Sequence, residues 1–215
     1  MNESEIRPKP WQYSLRVLFV LMFIVAGLCA SFACFRQWYI KTHYPYGWSH
    51  CCDKILAMSL EEYAVAHNGA YPSGERWPEA SLSLLYPKYL DIVEILRGKT
   101  VPLDIVEKRL QKGEKLGPNS CGWHYVEGLT KKDDSRLGLV WDKTGLGHNG
   151  QLLQKGGHYV IFVNSDIKYI NGKHWDEFED LQEILLLKKG LNLSTISDIE
   201  LEKKWRSITD EDQSE

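Results

Sequence analysis

Apolar residues are unevenly spread along the chain. From Val17 to Phe35 every position is uncharged and most are large and hydrophobic, with Arg16 before the run and Arg36 after it. A helix of that length is about 28 Å long, close to the hydrocarbon thickness of a bilayer. Trp11 and Tyr13 precede the run, and Trp38 and Tyr39 follow it. Aromatic rings at both ends suit the two headgroup layers. The pattern predicts a transmembrane helix over 17–35, a short polar leader over 1–16 and a juxtamembrane linker over 36–48, broken by Pro45 and Gly47. Two rival readings remain. One is a cleavable signal peptide with Ser31-Phe32-Ala33 as its small-x-small site, although the run is longer and its leader longer than such peptides use. The other is a core helix, which a stretch apolar on every face does not favour.

Beyond the run the pattern becomes periodic. Cys52, Leu56, Leu60, Tyr63 and His67 recur at helical steps and predict an amphipathic helix from about His50 to His67. Ser49 is its N-cap and Gly69 a left-handed stop. Shorter helices are expected at Pro78–Tyr86, 89–97 and 103–112, with Pro102 between the last two. The period then shortens. Trp123–Val126, Gly138–Trp141, Tyr159–Val163 and Ile167–Ile170 are short runs rich in β-branched and aromatic residues, so they read as strands. A tight turn at 164–166 makes the last two a hairpin. The connection from Asp142 to Gly157 is long and holds five glycines. Loops of this kind are usually functional or mobile. Glu177–Lys189 and Ser197–Trp205 predict two closing helices. Helices first and strands later indicate α+β, an amphipathic helix packed on a small antiparallel sheet. One domain over 49–207 and an acidic tail over 208–215 complete the chain.

Charge adds one exclusion. The whole chain carries a formal net charge of −3, and the part after the span is slightly more acidic. A phosphate-binding domain is expected to show a basic face. The lysine pairs at 131–132, 188–189 and 203–204 each have acids nearby, so no nucleic-acid partner is expected. The lipid bilayer is the expected partner of the span. A three-to-two excess of basic residues before the span over those just after it favours the leader inside and the domain outside. The five cysteines show no C-x-x-C spacing, and no cofactor or metal is implied.

The order of the pieces resembles a known family. LEEYAVAHNGAYPSG at 60–74, SLSLLYPKYL at 81–90, CGWHYVEGL at 121–129, LVWDKTGLGHNG at 139–150 and GGHYVIFVNSDIKYI at 156–170 carry the likeness. Together they resemble the bacterial pseudopilin-like proteins, related to type IV pilins and type II secretion pseudopilins. The resemblance implies a membrane-anchored, non-enzymatic protein that contacts other proteins of the envelope or a secretion machine. The chain departs from the family where precursors carry a Gly-Phe-Thr-Leu-x-Glu processing site. Here that place reads Tyr13-Ser14-Leu15-Arg16-Val17. The expectation is a pseudopilin-like domain on an uncleaved anchor.

Candidate chemistry is sparse. Asp142 and His148 flank the glycine-rich loop and could form an acid–base pair or two metal ligands. They define the alternative function, a membrane-tethered hydrolase or metal-dependent enzyme. The plainer reading makes Asp142 a turn cap and His148 loop surface. Asp133 and Asp134 could offer oxygens to Ca²⁺, as in some type II secretion pseudopilins, but lack the spacing of a dedicated calcium loop. Cys121 and His124 lie three apart in a strand, so they point to opposite faces. In an oxidising compartment Cys52, on the apolar stripe of its helix, is the expected disulfide partner of Cys121.

Overall fold

The computed structural model describes residues 15–44, 46, 47, 53–191 and 198–209. The chain divides into two compact units, Met1–Thr42 and His43–Glu215. The leader to residue 14, including Trp11 and Tyr13, lies outside the described residues, as do Trp48 and the acidic tail beyond residue 209.

The first unit is dominated by helix α1, Leu15–His43. It continues past Phe35, where the sequence pattern placed its end. Nothing between Arg36 and Thr42 breaks a helix. The helix ends at His43, two positions before a proline in the sequence, a residue type that disfavours helical geometry in the residue before it. The juxtamembrane turn therefore starts only after His43, with the Gly47 N–H donating to Tyr44 O at 3.0 Å. Val17–His43 is long and apolar enough to cross a membrane, and none of its most apolar window is buried within the protein. Ser31 and Thr42 satisfy their hydroxyls inside the helix, on Gly27 O and Trp38 O, each at 2.8 Å. That arrangement spares these two hydroxyls the need for water.

The second unit is α+β. Its first helix, α2 (Asp53–Ala66), buries Asp53, Leu56, Ala57, Ser59, Leu60 and Ala64. The buried stripe is rotated from the predicted one. Tyr63 is half-buried and His67 is exposed, stacked on each other at 3.8 Å. The left-handed stop forms as expected, with Asn68 at φ 56° and Gly69 at φ 91°. The middle of the chain has less helix than its pattern predicts. There are α3 (Pro78–Leu82) with one further 3-10 turn, α4 (Val93–Leu96) and α5 (Leu103–Gln111).

Four strands follow: β1 (Trp123–Tyr125), β2 (Gly138–Asp142), β3 (His158–Phe162) and β4 (Ile167–Ile170). They form an antiparallel meander in the order β1-β2-β3-β4. Its register pairs Trp123 with Asp142, His124 with Trp141, and Trp141 with Val160. Residues opposite one another in such a ladder share a face. One face therefore holds Trp123, Tyr125, Val140, Asp142 and Ile161, toward α2 and the central loops. The other holds His124, Trp141 and Val160; α6 (Trp175–Leu191) packs on it at Trp141 and leaves His124 exposed. Every residue of β2 is buried, as a strand covered on both sides requires. On the α6 side Phe178 meets Trp141 at 5.9 Å and Phe162 at 6.2 Å, both edge-on. The last helix, α7 (Asp198–Thr209), places Trp205 edge-on to Phe162 at 5.3 Å.

Candidate functional site: a caged lysine and an acid-rimmed groove

Two features of the second unit stand out chemically. The first is Lys99, whose side chain is wholly buried. Its ammonium donates to Asp142 Oδ2 at 2.6 Å and Asp53 Oδ1 at 2.9 Å, and lies 3.5 Å from Leu146 O. It also lies 5.4 Å from the centre of the Trp123 ring, on the side the register assigns to that face. Three acceptors and an aromatic face replace the water that an ammonium loses on burial.

The local backbone explains how a lysine enters the core. Lys99 follows Gly98, which has φ 71°, and Gly122 donates its N–H to Arg97 O at 2.7 Å. A Cβ on Gly98 would stand 2.8 Å from Gly122 Cα. Two backbones touch there, and only a glycine with left-handed freedom allows it. The turn delivers Lys99 inward between the first turn of α2 and the end of β2.

Two carboxylates around one ammonium leave a buried excess of negative charge. Burial raises the Asp142 carboxyl to about 7, against the opposing pull of Lys99. For Lys99, burial alone would lower the pKa, but the charges of Asp142 and Asp53 outweigh it and hold it above the ordinary lysine value. Asp142 Oδ1 is buried and meets no hydrogen-bond donor among the described residues. The Asp142 carboxyl thus holds its proton more readily than a solvated aspartate would.

Asp142 and His148, the residues singled out on either side of the glycine-rich loop, occupy different settings. Asp142 is 2 % exposed and committed to Lys99, whereas His148 is exposed loop surface. The histidine that does reach Asp142 is His158, whose Nδ1 is 2.9 Å from the Asp142 carbonyl oxygen. That contact is to the backbone, across the β2–β3 ladder. Asp133 and Asp134, the candidate calcium acids, are occupied by their own chain. Asp133 Oδ2 takes Lys189 at 2.6 Å and Asp134 takes Arg136 at 2.6 Å. Among the described residues no group of three His, Cys, Asp or Glu side chains could hold a metal ion. Cys121 is a free, buried thiol with its Sγ 3.5 Å from Leu96 O. Cys52, its expected partner, lies outside the described residues.

The second feature is a groove of about 620 Å³ between the outer face of β1–β2 and α6. Its floor is His124 and Trp141, whose rings are 4.4 Å apart. Its wall is the exposed pair Leu186 and Leu187, and its rim carries Glu179 and Glu183. Partial desolvation against the groove holds the His124 pKa below the ordinary histidine value. The size is that of a site for a small molecule or a few side chains.

Comparison with protein-family models, curated proteins and solved structures finds no match for this chain. Its functional reading therefore rests on its own geometry.

Sequence spacing pointed at neither Lys99 nor Asp53. The only local hints were Gly98 immediately before Lys99 and Gly122 immediately after Cys121.

Proposed function

We propose that this is a single-pass membrane-anchored protein whose second unit is a pseudopilin-like, non-enzymatic interaction domain facing away from the cytoplasm. The observation that carries the anchor is α1. Its apolar face is the whole circumference, none of its apolar window is buried in the protein, and the hydroxyls of Ser31 and Thr42 are satisfied internally. Trp38 and Tyr39 lie on its exposed C-terminal turns, suited to a headgroup layer. For the domain, the argument is the chemistry of its polar groups. The buried acid and base at the centre are spent on each other, and the groove beside α6 presents Val126, Trp141, Leu186 and Leu187. Such a surface suits recognition of a partner better than bond-making.

Two measurements test the reading. Alkaline carbonate extraction of membranes should leave the chain in the pellet, and its intact mass should retain the first helix. Release into the supernatant, or a mass lacking residues up to Ala33, overturns the anchor. Chemical crosslinking in membranes followed by purification of the chain should recover a defined set of envelope or secretion proteins; a chain that purifies without any partner overturns the interaction role.

A further inference from the structure

The rim of the groove between the sheet and α6 is acidic. It is lined by Glu179 and Glu183, one helical turn apart, and by no lysine or arginine. The two lysines in the last turn of α6 are turned elsewhere. Lys189 donates to Asp133 and to Gly128 O, and Lys188 acts on Asp134. Lys143, whose charge is felt at His124, is tied to Glu79 at 2.6 Å and to Pro118 O at 2.9 Å. Among the described residues Glu179 accepts a hydrogen bond from Trp175 Nε1 at 2.9 Å and pairs with no lysine or arginine. The groove also lies beside the C-terminal turns of α6, where the helix dipole favours a cation.

Apolar floor, leucine wall and acidic rim together specify an occupant. We infer that the groove holds a short segment of a partner protein, with apolar side chains on Trp141, Leu186 and Leu187 and a lysine or arginine against Glu179 and Glu183. This inference rests on the interaction reading above and names the chemistry of its partner. Leu186 and Leu187, 37 % and 48 % exposed, are the side chains left without cover. An aliphatic or aromatic anchor there would bury them, while the flanking cation gives orientation and discrimination.

The full chain in phosphatidylcholine nanodiscs provides the test, since neutral lipid does not itself attract a basic peptide. The probes are two labelled pentapeptides with blocked ends, Lys-Leu-Phe-Leu-Lys and Glu-Leu-Phe-Leu-Glu, followed by fluorescence anisotropy. The basic peptide should bind saturably and the acidic one at least about tenfold more weakly, a difference worth about 1.4 kcal/mol. Joint replacement Leu186→Ser and Leu187→Ser should weaken the basic peptide by about tenfold or more. Joint replacement Glu179→Gln and Glu183→Gln should bring the two peptides to similar affinity. All four side chains are exposed, so the fold tolerates these changes.

Equal binding of both peptides, no binding of either, or wild-type binding by the leucine variant overturns the inference. If no peptide binds and the leucine variant turns a dimer into a monomer, the occupant is a second copy of this chain, which also overturns it. The broader interaction reading is judged separately, by carbonate extraction and crosslinking of the wild-type chain. Partners retained by the leucine variant would sink the groove and leave that reading intact.

Discussion

The Lys99 ammonium lies 2.6 Å from Asp142 Oδ2, and neither side chain reaches solvent by more than 2 %. With Asp53 as second acceptor, this contact joins three distant pieces of chain: the first turn of α2, the connection from α4 to α5, and the end of β2. Desolvating three charged groups costs several kcal/mol each, and only their mutual attraction offsets it. The cage is therefore sensitive to losing one member.

Replacing Lys99 by Met leaves two buried carboxylates facing each other. The expected loss is about 3–5 kcal/mol, the range for removing one partner of a buried pair. Adding Asp53→Asn and Asp142→Asn to Lys99→Met should recover a large part of it, because the uncompensated charge is gone. Urea unfolding of the solubilised full chain, followed by tryptophan fluorescence, measures both. A Lys99→Met protein as stable as the wild type would show that the cage contributes no net attraction.

The same cage makes stability depend on pH in a definite direction. Asp142 titrates near 7 in the folded chain and near 3.8 when unexposed to the fold's burial. Between those values the folded state binds more protons than the unfolded one. The contribution of Asp142 is thus fully present below about pH 4 and is lost as pH rises through 7. The stability of the wild type relative to Asp142→Asn should fall from pH 4 to pH 7 and then level off. Unfolding curves of both proteins at matched pH values check it. A difference independent of pH across this window would mean that Asp142 keeps an ordinary carboxylate pKa.

How far the sequence could reveal this depends on the range of each interaction. Strands β2 and β4 and the hairpin turn follow from residues a few positions apart, and they lie close to where the pattern puts them. The left-handed stop at Gly69 is equally local. The end of α1 was misplaced because hydropathy falls at Arg36 whereas helical geometry persists to His43. The stripe on α2 was rotated because Asp53 is a core residue, drawn inward by Lys99, 46 positions away in the chain. No periodicity registers such a pairing. A buried lysine runs against composition-based expectation, since lysine is almost never fully buried unless paired. The groove was invisible for a similar reason: His124, Trp141 and Leu186 become neighbours only when α6 closes over the sheet.

Gly98 tests the backbone contact that aims Lys99. Its Cβ would meet Gly122 Cα at 2.8 Å, and its φ is already left-handed at 71°. Gly113 has the same φ with nothing within 4 Å. Gly113→Ala should therefore cost only the left-handed penalty, about 1–2 kcal/mol. Gly98→Ala adds a collision with backbone that cannot rotate aside, and should cost clearly more, about 2–4 kcal/mol. Equal effects of the two substitutions would show that the close approach at Gly122 relaxes without penalty.

Cys121 offers a test of burial and of compartment in one experiment. Its thiol is 1 % exposed, and burial pushes its pKa up to about 12. The reactive species is the thiolate, so at pH 7–8 the folded chain should leave Cys121 untouched by a soluble maleimide. Unfolding in urea without reductant should expose it as a free thiol, the state in which it stands here. Peptide mapping of the labelled chain locates the modification. Burial explains how such a thiol persists even in an oxidising compartment, because oxidants act on accessible thiolates. Labelling of Cys121 in the folded chain would refute its place in the core. Labelling that appears only after both urea and reductant would show a bridge, with Cys52 the expected partner, and would place the domain in an oxidising compartment.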